Sequence, residues 1–310
     1  MVPAPGVADS ARRRALRTVR RRVLAWYVRE HRDFPWRRTR DPYAVLVSEV
    51  MLQQTQARRV VERFERFMAR FPSVAALAAA SEADVLAEWS GLGYNRRALA
   101  LRRAASEVVT GGWGHAAAEL ERLAGVGPYT ARALASLAFG EAVGVVDTNV
   151  RRWLIRRFGL PATVAAQDLQ QLADDLATAD PSPSPMEVAA WTHASMELGA
   201  GVCRARAPRC VACPVARSCP SRGRATLVAV PRQAPFRRSR RAGRGALVRV
   251  LAAADGYALT VPEAMRSVPD GVDGPRVLAD LEREGLVHAD GAYLRLGPPA
   301  AGGAAGTIDG

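Results

Sequence analysis

Leu123-Ala-Gly-Val-Gly-Pro-Tyr-Thr-Ala131 sets Gly125, Gly127 and a proline between two helix-like segments. Small residues at such a turn let backbone amides approach an anion, and the start of the next helix adds its positive end. An ordinary interhelical turn reads the same way, so the string gains its meaning from the cysteines downstream. All four of them lie close together, at Cys203, Cys210, Cys213 and Cys219, spaced C-x6-C-x2-C-x5-C. Thiols clustered in this way in a cytosolic chain indicate a metal or cluster site rather than disulfides. Four sulfurs suit tetrahedral zinc or a [4Fe–4S] cubane. Zinc sites more often use two C-x2-C pairs, and only one short pair is present, so the spacing leans to iron–sulfur. Arg204, Arg206, Arg209 and Arg217 stand among the thiols and would be presented to phosphates by an ordered loop.

Upstream and downstream of the hairpin, residues 11–200 read mostly as helices. Apolar residues recur at three- and four-residue spacing in Val23–Tyr27, Leu46–Met51, Val60–Met68, Val85–Trp89, Leu120–Leu123, Leu134–Phe139 and Leu169–Leu176. Stops at Phe71-Pro-Ser73, Ser90-Gly-Leu-Gly93 and Asp180-Pro-Ser-Pro183 separate them. After Cys219 the chain turns Arg-, Pro- and Ser-rich. Beyond it, Ala246–Ala253, Pro262–Met265 and Pro275–Glu284 suggest three helices, and Asp290-Gly291 a hairpin turn between short strands. That order is the order of a winged helix-turn-helix. Residues 298–310 are Gly/Ala-rich and read as a disordered tail.

Charge points to the partner. The 310 residues carry 44 Lys+Arg against 30 acids, a net of +14, and every one of those bases is arginine. Residues 11–40 hold 12 Arg against Glu30 and Asp33, and residues 204–244 hold 12 Arg and no acid. Between them, residues 41–203 hold 15 Arg and 18 acids. A near-neutral middle flanked by two basic runs suits a chemical core with separate phosphate-gripping surfaces. An apolar content of 49% excludes wholesale disorder. No run approaches the roughly 18 apolar residues of a membrane span, and Met1–Ser10 lacks the core of a secretory signal. The expectation is a monomer in the cytoplasm, associated with the nucleoid.

Two carboxylates stand in unusual places. Glu49 is the only charge in Ala44-Val-Leu-Val-Ser-Glu-Val-Met-Leu52. Burial would raise its pKa and let it hold a proton near neutrality; pairing with an arginine across a helix interface is the structural alternative. Asp147 ends the apolar run Val143–Val146 ahead of a helical segment, where a helix N-cap is the default. An N-cap carboxylate can also face a developing cation. N-glycosidic cleavage needs an acid for the leaving base and a carboxylate for the oxocarbenium-like sugar.

The chain from about residue 20 to 220 resembles the MutY-type adenine DNA glycosylases of the endonuclease III, helix-hairpin-helix superfamily. The resemblance rests on Phe34-Pro-Trp-Arg37, Ser48-Glu-Val-Met-Leu-Gln-Gln-Thr-Gln56, Gly91-Leu-Gly-Tyr94, Gly125-Val-Gly-Pro-Tyr-Thr130, Val146-Asp-Thr-Asn-Val150, Met196-Glu-Leu-Gly199 and the cysteine loop. It implies a mainly α, two-domain helix-hairpin-helix DNA glycosylase fold with a [4Fe–4S] cluster loop, followed here by the small winged-helix-like module. The expected segments are a basic stretch 1–42 packing with the cluster domain, a six-helix module 43–150, the iron–sulfur domain 151–222, a linker 223–244, the module 245–297 and the tail 298–310. It implies that Glu49 protonates adenine, that Asp147 stabilises the sugar cation and that Asn149 supports the active-site turn. Tyr129 stands where strand-cleaving relatives carry lysine. Gln54 and Tyr94 would probe and wedge into the stack, Gly125 and Gly127 would bind phosphate, and Cys203, Cys210, Cys213 and Cys219 would hold the cluster. The implied substrate is double-stranded DNA with adenine opposite 8-oxoguanine or guanine. Thr148 replaces a glycine common in the family turn, and Asn95 a second tyrosine. Many relatives also end in a larger β-rich domain that senses 8-oxoguanine. Two other readings are an endonuclease III-like glycosylase/lyase for oxidised pyrimidines, disfavoured by Tyr129, and a non-catalytic DNA-binding protein, disfavoured by the two carboxylates.

Overall fold

The computed structural model describes residues 5–224, 236 and 239–299. In chain order the helices are α1 (Pro5–Glu30), α2 (Pro42–Leu52), α3 (Ala57–Arg70), α4 (Val74–Ala79), α5 (Glu82–Trp89), α6 (Arg96–Gly111), α7 (Ala117–Leu120), α8 (Pro128–Leu134), α9 (Thr148–Phe158), α10 (Ala166–Ala177), α11 (Pro185–Glu197), α12 (Arg240–Ala253), α13 (Val261–Met265) and α14 (Gly274–Arg283). Three short strands follow α12: β1 (Ala258–Thr260), β2 (Val287–Asp290) and β3 (Tyr293–Leu296). The segments read as helical from their spacing are helical, except that in Leu120–Leu123 only Leu120 is helical and the chain then turns towards the hairpin, and with one change of type. Residues Ala135–Phe139 form a π-helical turn continuing α8, and Leu198–Val202 form another continuing α11. Such wide turns concentrate near functional sites.

The chain divides into two compact units. The first joins residues 1–49 to 113–231, so the expected boundaries at 42/43 and 150/151 fall inside it. The cause is the apolar stripe of α1. Leu16, Val19, Val23, Trp26 and Tyr27 recur at helical spacing and bury against Val150, Trp153, Leu154, Leu169, Leu176, Trp191 and Ala194 from α9, α10 and α11. Arg12 and Arg17 of α1 take the rim, pairing with Asp175 and Asp180, while Arg20, itself buried, reaches Asp180 from inside.

The second unit joins residues 50–112 to 232–310. Val60, Phe64 and Phe67 of α3 pack with Leu77, Val85, Leu86, Trp89 and Leu101, all buried, among α4, α5 and α6. α12 lies against α5, and Tyr257 donates a hydrogen bond from its hydroxyl to Asp84 Oδ1 at 3.0 Å. Here the structure adds to the sequence reading. α12 begins at Arg240, capped by the Ser239 hydroxyl, so residues 240–244 are helix rather than linker. The strand β1 was not legible, because three residues carry no period; it pairs with β3 to give an antiparallel sheet in the order β1-β3-β2. Most of the expected linker and of the tail 298–310 lies outside the described residues.

Candidate active site

Glu49 sits on α2 with 3% of its surface exposed. Its neighbours Val45, Leu46, Val47, Val50 and Met51 are equally buried, so the helix is apolar all round and carries its one carboxylate into the interior with it. Burial raises the Glu49 pKa to about 7. The Tyr129 hydroxyl, donating to Oε2 at 3.0 Å, opposes that rise; Asp147 adds to it, and Arg37 opposes it again. The arginine pairing considered from sequence is therefore not what holds Glu49: its hydrogen-bond partner is Tyr129, one residue inside the N-terminus of α8. Burial and the two carboxylates push the Tyr129 phenol well above its usual range, so it stays a donor.

Asp147 is the N-cap of α9, as its position suggested. Oδ1 accepts from the backbone N–H of Asn149 at 2.8 Å and of Val150 at 2.6 Å, and Oδ2 accepts from the Asn149 amide at 2.8 Å. Thr148 is the first helical residue and has an ordinary negative φ, so the turn has no need of glycine. The Asn149 Oδ1 accepts from Arg152 Nη2 at 3.0 Å; the same guanidinium bonds the carbonyls of Gly199 and Cys203 at 2.6 and 2.7 Å. A Cβ on Gly199 would lie 2.6 Å from the Asn149 backbone, which explains a glycine at that point of the Met196–Gly199 motif. α9 thus carries Asp147 at one end and grips the cysteine loop further along.

The cysteines line one cavity with Arg156, Val202 and Arg222 among its walls. Arg156 binds the carbonyls of Arg204 and Ala205 at 2.7 and 2.8 Å and reaches Cys203 Sγ at 3.6 Å. Arg157 holds Ser218. Burial raises the Cys213 thiol to about 11, and the other three cysteines add to the rise. Among the described residues no three His, Cys, Asp or Glu side chains converge as ligands of a single ion. The thiols instead surround a space.

Sequence reasoning left three arginines and a glutamate without roles. Glu197, 3% exposed, accepts from Arg32 at 2.6 and 3.1 Å and from Arg37 at 2.8 Å. Burial alone would raise its pKa, but these two guanidiniums win and hold it low. The motifs Phe34–Arg37 and Met196–Gly199 therefore meet in space. The third arginine belongs to the second unit, where Gln54 and Tyr94 are exposed with φ of 57° and 49°. Left-handed backbone at non-glycine residues costs roughly 1–3 kcal/mol each and persists only where neighbours impose it. Arg97 supplies the constraint for both loops. Its Nη1 bonds the carbonyls of Val50 and Gln53 at 2.5 and 2.8 Å, its Nη2 bonds that of Gly93, and its guanidinium lies over the Tyr94 ring. Arg97→Ala is expected to lower stability by about 1–3 kcal/mol by stranding those carbonyls. Arg97→Lys should recover little, since an ammonium lacks the fork; thermal denaturation of both variants checks this.

Residues 47–178 match the HhH-GPD superfamily base excision DNA repair protein family. The matched stretch is less than half of the chain. It spans Glu49, the hairpin, Asp147 and α9. The chain is 42% identical over 218 residues to the human (Homo sapiens) adenine DNA glycosylase, covering 65% of this chain and 39% of that protein. It is 44% identical over 198 residues to the adenine DNA glycosylase of Mycobacterium tuberculosis (strain ATCC 25618 / H37Rv), covering 62% and 64%. The chain thus spans less than two thirds of either relative. In structure it is similar to a thermostable thymine-DNA glycosylase, with a TM-score of 0.61 and 26% identity over 69% of this chain and 99% of that one. An endonuclease III trapped covalently on DNA has the same fold, at TM-score 0.57 and 20% identity over 68% and 97%. No helix among the described residues is long and apolar enough to cross a membrane.

Proposed function

We propose that this protein is a monofunctional DNA glycosylase that removes adenine mispaired with 8-oxoguanine or guanine. The observation that carries the reading is Glu49: a buried carboxyl, near half-protonated at neutral pH, bonded by Tyr129 and close enough to Asp147 to feel its charge. In the forward step Glu49 gives its proton to the leaving adenine, and the electrons of the breaking C1′–N9 bond go to the base. Asp147, fixed by its cap bonds, faces the positive charge left on the sugar. Water then adds at C1′ and its proton returns to Glu49. Relatives named adenine DNA glycosylase at 42–44% identity support the substrate.

The substrate is double-stranded DNA, met by a monomer in the cytoplasm at the nucleoid. Gly125 has φ of 74°, and a Cβ on Gly127 would touch nothing in the protein, which leaves room for a phosphate at the start of α8. Gln54 and Tyr94, on braced and exposed loops, probe the mispair and wedge into the stack. The four cysteines fit a [4Fe–4S] cluster, because thiolates around a space can each take a separate iron. Such a cluster would supply positive charge to offset mutual repulsion of the thiolates and would order the arginines of the loop. Anaerobically purified protein should contain iron and absorb broadly at the visible–ultraviolet boundary; zinc with negligible iron would refute this.

Residues 240–297 make a winged-helix-like module. Its third helix, α14, is a poor DNA reader, since Asp280 and Glu284 already pair with Arg240, Arg283 and Arg244. The module's role on this reading is packing, with α12 and β3 lying against α5.

The function is tested by base release from A:8-oxoG, A:G and thymine-glycol duplexes. Free adenine from the first two, with an intact abasic site, is the expected result. With no lysine in the chain, borohydride should trap no covalent complex beyond a blocked-N-terminus control. Release of thymine glycol with efficient trapping would favour the lyase reading instead.

A further inference from the structure

The run from Gly140 to Asp147 has no regular structure, so its peptide groups must find partners elsewhere. Gly144 finds all of them on side chains. Its N–H donates to Asp174 Oδ1 at 2.7 Å, and its carbonyl accepts from Arg132 Nε at 2.8 Å and Gln170 Nε2 at 2.9 Å. Arg132 and Asp174 also pair directly. The peptide lies so close to α10 that a Cβ on residue 144 would fall 2.4 Å from the Ala173 carbonyl carbon. Gln170 and Asp174 stand one turn apart on α10. Arg132 stands on α8 three residues after Tyr129, the donor to Glu49.

We infer that Arg132 and Asp174 form a clamp that sets the spacing between the Tyr129–Glu49 pair and Asp147, and are positioning residues for base excision. The inference rests on the functional reading of Glu49 and Asp147. Arg132 ties α8 to the Gly144 peptide, Asp174 ties that peptide to α10, and three residues later the chain reaches Asp147. The two charged side chains keep 25% and 31% of their surface exposed, where an ion pair alone is worth little. Their bonds to one short stretch of irregular backbone give them leverage. A misplacement of about 1 Å at a reacting group costs on the order of 10²-fold in rate.

The clamp has a signature that a general loss of stability lacks. Glu49 is faced by the Tyr129 hydroxyl from α8, by Asp147 from the cap of α9, and by Arg37 from the segment before α2; of these charges, Asp147 is the one that strengthens its hold on the proton. If Asp147 drifts away, Glu49 loses its proton at lower pH.

Arg132→Ala, Asp174→Ala and Arg132→Lys would be compared with wild type in single-turnover excision across pH, in affinity for a non-cleavable A:8-oxoG duplex, and in amide hydrogen exchange over residues 140–150. Both alanine variants should excise about 10²-fold more slowly at unchanged duplex affinity. The alkaline limb of their rate profile should move to lower pH, and exchange in 140–150 should quicken. Arg132→Lys, which keeps a charge and donors, should recover part of each loss. Unchanged excision, or slowed excision with an unmoved alkaline limb, would overturn the clamp. If wild type releases no base from any duplex, the functional reading falls, and the exchange data then decide the clamp alone: unchanged protection of 140–150 in either alanine variant refutes it.

Discussion

Glu49→Gln is expected to slow adenine release by about 10²–10⁴-fold, the usual contribution of a positioned general acid, while duplex binding is retained. The amide keeps the shape and can still accept from Tyr129, but it has no proton to give. The wild-type rate should fall as pH rises above about 7, because the reactive form is the protonated one and burial holds its pKa near that value; the residual rate of the variant should lack that limb. Stability carries an independent sign. In the unfolded chain Glu49 releases its proton near 4.5, whereas the folded protein keeps it until about 7. Between those values the folded state binds more protons, so wild-type stability declines as pH rises, by on the order of 3 kcal/mol in all. Glu49→Gln escapes this decline and should melt higher than wild type at pH 8 but not at pH 4. Near-normal single-turnover excision by the variant would refute the assignment.

Asp147→Asn should cost roughly 10²–10³-fold in excision, as loss of a preorganised charge facing the sugar cation does. The hydrogen bonds make the substitution more than a charge change. Arg152 donates to the Asn149 Oδ1, the Asn149 amide donates to Asp147 Oδ2, and the chain of donors ends on that acceptor. An amide at position 147 confronts Asn149 with a second donor, and flipping Asn149 only moves the clash to Arg152. The companion change Asn149→Asp restores the count: Arg152 and the introduced amide would then both donate to one carboxylate. Asp147→Asn with Asn149→Asp should therefore recover melting temperature but not excision. Recovery of both would show that Asp147 acts through packing alone.

The burial of Glu49 and the capping by Asp147 were legible because their signals are local. An isolated Glu49 in an apolar helix means burial whatever covers it, and Asp147 before a helix caps it through bonds to residues two and three places on. The cysteine spacing is local in the same sense. Arg97 was not legible, since arginine on a helix is ordinarily a solvated residue, and only the fold brings it under the carbonyls of Val50 and Gln53. The three residues of β1 were missed because a strand so short owes its existence to its partner β3.

By itself, then, the sequence determined the helical character of residues 11–200, the motif-bearing turns, the four-thiol loop and the two carboxylates. Each depends on periodicity or on chemistry within a few residues. Only the tertiary structure decided which side chain bonds Glu49, that Arg32 and Arg37 close on Glu197 from across the chain, that α1 shares a core with α9–α11, and that α8 and α10 hold the peptide of Gly144. Those pairings join residues far apart in sequence, and no local preference of either partner encodes them. They follow from burying the apolar faces first, which then leaves each inward guanidinium and carboxylate the neighbours that the packing brings within reach.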